Sequence, residues 1–599
     1  MKKTVALMFA AVFAVQCLTA QIAEGIKLLH YEKNKSAREV LQKNYDANSK
    51  DPQAIYWLGQ AHLAGNGIEV TKEDVAAAKA LYQKGLQELG SDAWLLVGMG
   101  HVELREGGDL NSAKQKFEQA ITATTETRGK NKGKPNAAIL TAIGRANADG
   151  DSKMGDPVYG IDKLKQAGAL DLTNPDIYIY MGISYQKMGG ENGGEAVKAY
   201  TEAIARDPKN ALAMFRIGKI YQSQNNVELF EQFYDNAKTA DAGFPPVYYA
   251  LYQYYAEKDV TKAKEYLDKY VQSADKDSRN ELYQADYLFR AGKYDESLAK
   301  AKELDAAVGI KAVPRLGVVY AYNYLRKGDS LAAKKYIEEF LTSAPASEVQ
   351  ASDYKLGIEV VTKFPGNEPT ALAYVDKALQ ADTVKANQIV LINAAADMLG
   401  KAKSYQAQLN LMKRGMQMKG ELTEFDYYKL TSSAFNAKAY DQVIEFSKPY
   451  MAAFPDKPQP YSFFKRATMA NGTDTAKIIE NLNYLDSVYA KVDLEKHRKT
   501  IFLDEYFKIN YYVNLFNEIK KRPDFKVTTK GEKSPAVEEF LAVCQKAIEV
   551  ADKMLNLYPT AGEENNKFAQ DVKATIQKNI DYYSNPTGKG GAPGAKTGS

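Results

Sequence analysis

The residue types that most often carry catalysis or bind metals are dispersed along this 599-residue chain. Two of its four histidines, His62 and His101, occupy positions of a helical pattern at which tyrosine stands elsewhere, so we interpret them as packing residues. The other two, His30 and His497, lie far apart, and no His-Glu-x-x-His motif or cysteine cluster suited to zinc occurs. Cys544 has apolar neighbours in a helical segment and is interpreted as a core residue. Histidine and cysteine therefore predict no metal site.

Two polar loops share some residues with ligand-binding motifs but do not match them. The segment GKNKGKP at 129–135 lacks the serine or threonine that follows Gly-Lys in a phosphate-binding loop. We interpret it as a solvated loop, and contact with an anionic partner stays open. The segment NADGDS at 147–152 has its glycine too early for a calcium loop and no closing glutamate. No Gly-x-Ser-x-Gly elbow occurs. We expect no catalytic residue, cofactor or metal, and thus a protein that is not an enzyme.

The sharpest candidate for a binding surface is a tyrosine stripe. Within PVYYALYQYYAEK (246–258), Tyr248, Tyr252 and Tyr255 are spaced i, i+4 and i+7, which places them on one face of a helix. Tyrosine combines a large apolar body with a polar tip and suits contact with a peptide or a glycan. Matching positions of other segments hold Phe215, Phe289, Tyr322, Tyr428 and Phe435. The alternative, in which these rings fill space between neighbouring helices, stays open.

The elements that must position this stripe repeat along the chain. The recurring pattern is a small residue, an aromatic or aliphatic residue four positions later, and a small or apolar residue three beyond, as in Ala196, Tyr200 and Ala203. Successive repeats begin at Ala196, Phe230, Ala263, Ser297, Ala333, Ala371, Ala407 and Val443. The steps are 34, 33, 34, 36, 38, 36 and 36 residues. A pair of helices with two short turns takes about 34 residues.

With this period the chain resembles tetratricopeptide-repeat (TPR) proteins from about residue 22 to 560. The unit at 56–90, with its extra loop GNGIEVTKED, resembles the related Sel1-like variant. The resemblance implies an all-α fold, a right-handed α-solenoid of TPR-like helical hairpins over 21–560. We count about 13 or 14 units, with insertions near 124–135 and 521–535.

The two ends and the charge complete the organisation. Residues 1–20 carry a basic start and an apolar run, and we predict a signal peptide cleaved after Ala20. No other apolar run is long enough to span a membrane. We expect a C-terminal capping helix at 561–584 and a disordered Gly/Pro/Lys-rich tail at 585–599. Lysine and arginine total 79 against 75 acidic residues, too balanced for a nucleic-acid partner.

These observations predict a non-enzymatic protein-protein interaction scaffold or adaptor of the bacterial cell envelope. The expected location is the periplasm, and association with the outer membrane is the alternative. By the resemblance, the first helix of each pair lines a concave groove that binds a peptide or a partner protein. Two alternatives stay open: a carbohydrate or cell-wall binding module, so that a glycan partner is possible, and a purely structural subunit of an outer-membrane complex.

Overall fold

The computed structural model describes residues 19–65, 70–150, 154–472, 474–526 and 532–584. The regular elements of these residues are α-helices and two short 3₁₀ helices, which confirms the prediction of an all-α fold. Most of the predicted signal peptide, part of the Sel1-like loop, part of the 521–535 insertion and the whole predicted tail lie outside the described residues. Within the described part, none of the helices combines the length and the apolar character needed to cross a membrane.

The chain divides into two compact units, Met1–Val349 and Gln350–Ser599. The helices of unit 1 are α1 (19–30), α2 (Asn34–Ala47), α3 (Pro52–Leu63), α4 (Lys72–Leu89), α5 (Ala93–Arg105), α6 (Leu110–Thr124), α7 (Ala137–Ala148), α8 (Pro157–Leu170), α9 (Pro175–Met188), α10 (Gly193–Arg206), α11 (Ala211–Ser223), α12 (Val227–Ala240), α13 (Pro245–Tyr255), α14 (Val260–Ser273), α15 (Ser278–Arg290), α16 (Tyr294–Val308), α17 (Leu316–Arg326) and α18 (Ser330–Ser343). The 3₁₀ helices are Gly190–Asn192 and Ala346–Glu348.

The helices of unit 2 are α19 (Ala351–Val361), α20 (Glu368–Ala381), α21 (Lys385–Lys401), α22 (Tyr405–Met418), α23 (Glu424–Asn436), α24 (Tyr440–Ala453), α25 (Pro458–Ala470), α26 (Thr475–Lys520), α27 (Pro535–Leu557) and α28 (Glu564–Ser584). Non-helical backbone at Asp493 divides α26 into two helical segments. Ala569 and Ile576 of α28 share a core with α27. Whether α28 acts as a cap stays a prediction.

The repeated sequence pattern corresponds to the buried face of the second helix in each pair. Ala196, Tyr200 and Ala203 of α10 are buried, and the ring of Tyr200 lies against Gly182 of α9. A Cβ atom on Gly182 would lie 2.5 Å from that ring, so the close approach of the two helices requires glycine there. The corresponding triplets in α4, α6, α12, α16, α18, α20 and α24 are also buried.

One triplet differs from the sequence pattern at its last position. In α22 the predicted triplet ends at Arg414, which is exposed, and the adjacent Gly415 is buried instead. Met412 of the same helix is also buried. Ala407 and Leu411 are buried as predicted, so only the last buried position of the triplet is one residue further on than the pattern indicates.

Unit 1 closes on itself through contacts between its first helices and residues more than 200 positions later. Tyr31 follows α1, and its hydroxyl donates to Oδ2 of Asp241 at 2.5 Å. Asp275 accepts from the backbone N–H groups of Lys35 (2.9 Å) and Ser36 (3.1 Å) in the first turn of α2. The N-cap residue Lys33 offers no side-chain oxygen, so a distant aspartate satisfies this helix end.

Candidate functional site

Three of the aromatic residues predicted to line a groove are packed inside unit 1. Phe215, Tyr248 and Tyr252 are only 8%, 6% and 3% exposed. The Tyr248 hydroxyl donates to the carbonyl oxygen of Ala242 at 3.0 Å, and the Tyr252 hydroxyl donates to Asp286 at 2.9 Å. Their polar tips are satisfied internally and their rings offer little surface to a ligand. This burial is what the space-filling alternative expects of these three residues, and a role in a ligand groove stays a prediction.

Tyr255 and Tyr322 are only partly buried, but they belong to separate aromatic contacts. Tyr255 donates to Glu231 at 2.5 Å and stacks on Tyr266, with ring centroids 5.7 Å apart. Tyr322 of α17 contacts Phe289 of α15 at 5.1 Å. The predicted stripe in unit 1 is therefore a set of ring contacts between neighbouring helices. A role of Tyr255 or Tyr322 in ligand binding stays a prediction.

In unit 2 the structure brings together the other two predicted residues. Tyr428 and Phe435 of α23 both contact Phe463 of α25, with centroid distances of 5.8 and 6.1 Å. Phe425, one turn before Tyr428, is 60% exposed, and Tyr428 is 40% exposed. We call Phe425, Tyr428, Phe435 and Phe463 the aromatic patch. It is the most exposed arrangement of the predicted aromatic residues.

Local sequence explains why α23 presents these rings on one face. Thr423 and Asp426 form a reciprocal capping box that starts the helix. From that start, Phe425, Tyr428 and Phe435 follow at i, i+3 and i+10, which brings them to the same side. Sequence reasoning missed Phe425 and Phe463. The signal for Phe425 was its position one turn before Tyr428, and Phe463 was recognisable as an aromatic residue in the first helix of the next pair.

A cationic group flanks the aromatic patch. The guanidinium of Arg466 lies 4.4 Å from the centroid of the Phe435 ring, and Arg466 is exposed. Among the described residues it forms no ion pair with a carboxylate. By contrast, Lys429 contacts the Phe425 ring and is paired with Asp397 at 2.9 Å. The patch thus combines exposed apolar rings with one cation that lacks a counter-ion.

Two polar cavities of unit 1 lie beside the contacts that its first helices make with later residues. The larger, about 710 Å³, lies between α2 and the segment that joins α14 to α15. Its arginines are paired with nearby carboxylates, Arg38 with Asp74 at 3.0 Å and Arg279 with Asp277 at 2.8 Å. The groups in this cavity largely neutralise one another, so it shows no preference for a ligand of either charge.

The smaller cavity, about 340 Å³, is lined by α3, α5, α7, α9 and α11 and by residues of the first helix. His101 contacts Gln60 at 3.1 Å and Asp149 at 2.8 Å. Burial raises the pKa of Asp149, but the hydrogen bonds from His101 and Arg105 outweigh it and hold that pKa below its ordinary range. Burial lowers the pKa of His101, so its ring is neutral at neutral pH. His101, Gln60, Asp149 and Arg105 therefore form one connected hydrogen-bond network.

The remaining chemistry-bearing residues are placed in packing contacts. Within the described part of the chain, no group of three or more His, Cys, Asp and Glu side chains is arranged to hold a metal ion. Cys544 is buried, and burial raises the pKa of its thiol to about 12, which leaves almost no thiolate at neutral pH. Both tryptophans, Trp57 and Trp94, pack against Tyr56.

Comparison with known proteins identifies repeats in part of the chain. Residues 187–244 match the tetratricopeptide repeat family model. No curated protein matches the chain. Among solved structures, a tetratricopeptide repeat protein from Parabacteroides merdae is 22% identical over 40% of this chain and 92% of its own, with a TM-score of 0.34. Yeast Tom70 is 13% identical over 74% of this chain and 99% of its own, with a TM-score of 0.36. The APC/C hetero-tetramer Cut9–Hcn1 is 12% identical over 78% of this chain and 92% of its own, with a TM-score of 0.35.

Proposed function

We propose that this chain is a non-enzymatic scaffold of the bacterial cell envelope that binds a partner protein through the aromatic patch of unit 2. The observation that carries the proposal is the exposure of Phe425 and Tyr428, one helical turn apart, with the Tyr428 ring in contact with Phe463. The other predicted groove aromatics are buried or partly buried. Contiguous exposed rings are costly in water, so a cluster of them commonly marks an interaction surface.

The chemistry of the patch defines the partner segment that would bind. The rings of Phe425 and Tyr428 would cover apolar side chains, and Tyr428 can also form a hydrogen bond through its hydroxyl. Arg466 would pair with an acidic side chain of the same segment. We therefore propose a partner-protein segment that alternates apolar residues with at least one acidic residue. Helical pairs held by their own cores keep such a surface in place, so little ordering entropy is lost on binding.

The cellular setting is proposed from the first residues of the chain. The basic start and apolar run of residues 1–20 support export, with the mature protein in the periplasm and outer-membrane association as the alternative. Detection of the full chain in the cytosol, with residues 1–20 intact, would contradict this location. The match of residues 187–244 to the tetratricopeptide repeat supports a scaffold role, since such arrays expose extended binding surfaces.

Site-specific photocrosslinking tests the patch directly. A photoreactive amino acid replaces Tyr428 in one strain and Phe463 in another, and Leu331, which is 72% exposed on α18, provides the control. We expect both patch positions to crosslink the same envelope protein, and we expect no crosslink to that protein at the control position. Mass spectrometry of the crosslinked peptide then gives its sequence, which should contain apolar and acidic residues.

A charge-reversal pair provides the matched control. Arg466→Glu should abolish the crosslink, whereas Arg414→Glu, which alters an exposed arginine paired with Asp376, should preserve it. An unchanged crosslink in the Arg466 variant, or the same partner captured at Leu331, would exclude the patch as the docking site. A crosslink to cell-wall glycan instead of protein would favour the carbohydrate-binding alternative.

A further inference from the structure

Two arginines in the 340 Å³ cavity of unit 1 have no carboxylate partner among the residues that the structure describes. Arg145 of α7 and Arg216 of α11 both line this cavity. Among the described residues neither guanidinium forms an ion pair. Nη1 of Arg145 and Nε of Arg216 are buried and have no hydrogen-bond partner. A buried N–H group without an acceptor costs free energy. An anion would fit in the cavity and would supply the missing hydrogen-bond acceptors.

The described carboxylates around the cavity do not accept hydrogen bonds from these two guanidinium groups. Asp149 is engaged by His101 at 2.8 Å and by Nε of Arg105 at 2.9 Å. Asp176 lies 3.9 Å from His30. Glu32 is the remaining carboxylate in the lining, and it forms no ion pair with either arginine. Within the described part of the chain, neither Arg145 nor Arg216 is therefore paired with a carboxylate of the lining.

Arg145 is held in position by ring contacts before any ligand arrives. The guanidinium of Arg145 lies 4.7 Å from the Trp57 ring centroid and 5.9 Å from that of Tyr180. His30 lines the same cavity. Burial, Arg145 and Arg216 all lower its pKa against the opposing effect of Asp176, and its Nε2 contacts the Tyr180 hydroxyl at 3.2 Å. The neutral imidazole adds a hydrogen-bonding group without a further charge.

We propose that this cavity binds the oxyanion of a small carboxylate- or phosphate-bearing molecule between Arg145 and Arg216. Its volume lies at the lower end of the range for small-ligand sites, roughly 300–1,000 Å³. Apolar residues such as Ile179 and Leu212 complete the lining and suit a short carbon skeleton. This site lies in unit 1 and is independent of the aromatic patch in unit 2.

Isothermal titration calorimetry of the purified full chain tests the site with three probes: succinate, inorganic phosphate and, as the ionic-strength control, chloride. We expect saturable binding of succinate or phosphate and none of chloride. Arg216→Gln and Arg145→Gln should each weaken that binding by about tenfold or more, since each removes a charge-assisted hydrogen bond. Whichever probe binds distinguishes a carboxylate from a phosphate ligand.

Arg414→Gln is the matched control because Arg414 is an exposed arginine in unit 2. It should bind the probes like the wild type. Circular dichroism checks that each variant is folded; because Arg145 also packs on Trp57, Arg216→Gln provides the decisive result if the Arg145 variant unfolds. Crystals soaked with the binding probe should show its oxyanion beside both arginines. No saturable binding, equal binding by Arg216→Gln and wild type, or water alone in the cavity would overturn the proposal.

Discussion

Nζ of Lys508 lies 2.6 Å from Oδ2 of Asp486, and this ion pair joins the two segments of α26 on either side of Asp493. The Lys508 side chain is completely buried and also contacts Glu505 at 2.9 Å. Asp504 is also buried but pairs with Lys465 at 2.5 Å, and each of the three carboxylates keeps one oxygen without a hydrogen-bond partner. Burial, aided by Asp504 and Glu505, raises the pKa of Asp486 to about 7.

Asp486→Asn should weaken the pH dependence of the free energy of unfolding of unit 2. Between about pH 4 and pH 7 the folded state keeps a proton on Asp486 that the unfolded chain has lost, so this group's contribution to the free energy of unfolding falls as the pH rises. The amide cannot ionise. The stability of the variant relative to the wild type should therefore increase by about 1–3 kcal/mol from about pH 5 to about pH 8.

Urea denaturation measures this difference in stability, and hydrogen exchange in peptides of α26 and α27 monitors the unfolding. Asp552→Asn is the control, since Asp552 is a partly exposed partner of Lys573 in α28. Its stability relative to the wild type should be nearly constant with pH. A parallel pH profile for the Asp486 variant and the wild type would show that Asp486 is charged in the folded state near neutral pH.

Lys508→Met should destabilise unit 2 by about 3–5 kcal/mol, because it leaves buried carboxylates without their cation. The loss should be smaller at about pH 5, where Asp486, with its raised pKa, carries a proton. Urea denaturation at the two pH values checks both statements. Lys573→Met removes a lysine with a partly exposed side chain and should cost less than about 1 kcal/mol. Equal losses for the two variants would contradict the central role of Lys508.

Gly182→Ala should destabilise unit 1 by about 1–3 kcal/mol, because the new methyl group would overlap the buried Tyr200 ring. Gly194→Ala offers the comparison within the same helix pair. A Cβ atom there meets nothing within 4 Å, so this variant should be neutral or slightly stabilising. Thermal unfolding of both proteins provides the test. If Gly182→Ala is as stable as the wild type, the two helices can separate more easily than their packing indicates.

Asp275→Ala removes the acceptor for the N–H groups of Lys35 and Ser36 at the start of α2. The free energy of local opening of this helix end should therefore fall by about 1–2 kcal/mol. Hydrogen exchange should increase in peptides covering 22–45 and stay unchanged in α16–α18. Asp268→Ala, which breaks an exposed pair with Lys264, should leave the exchange of those peptides at the wild-type rate. Unchanged protection in the Asp275 variant would show that other contacts close unit 1.

The sequence by itself determined the helix pairs and the buried face of the second helix in most of them. Ala196, Tyr200 and Ala203 could be assigned to a core because their spacing reflects the period of a single helix. That information is local, and it requires no knowledge of which helix lies opposite. Even there, the last buried position of the triplet in α22 is Gly415, one residue further on than the spacing predicts.

Only the tertiary structure decided which aromatic residues are exposed and which charged groups are unpaired. Tyr252 and Tyr428 have the same side chain and the same predicted role, but Tyr252 is covered by α15 whereas Tyr428 keeps a solvent-facing edge. The pairing of Tyr31 with Asp241 joins residues 210 positions apart. Burial and electrostatic pairing depend on groups that are distant in sequence, and helical periodicity carries no information about them.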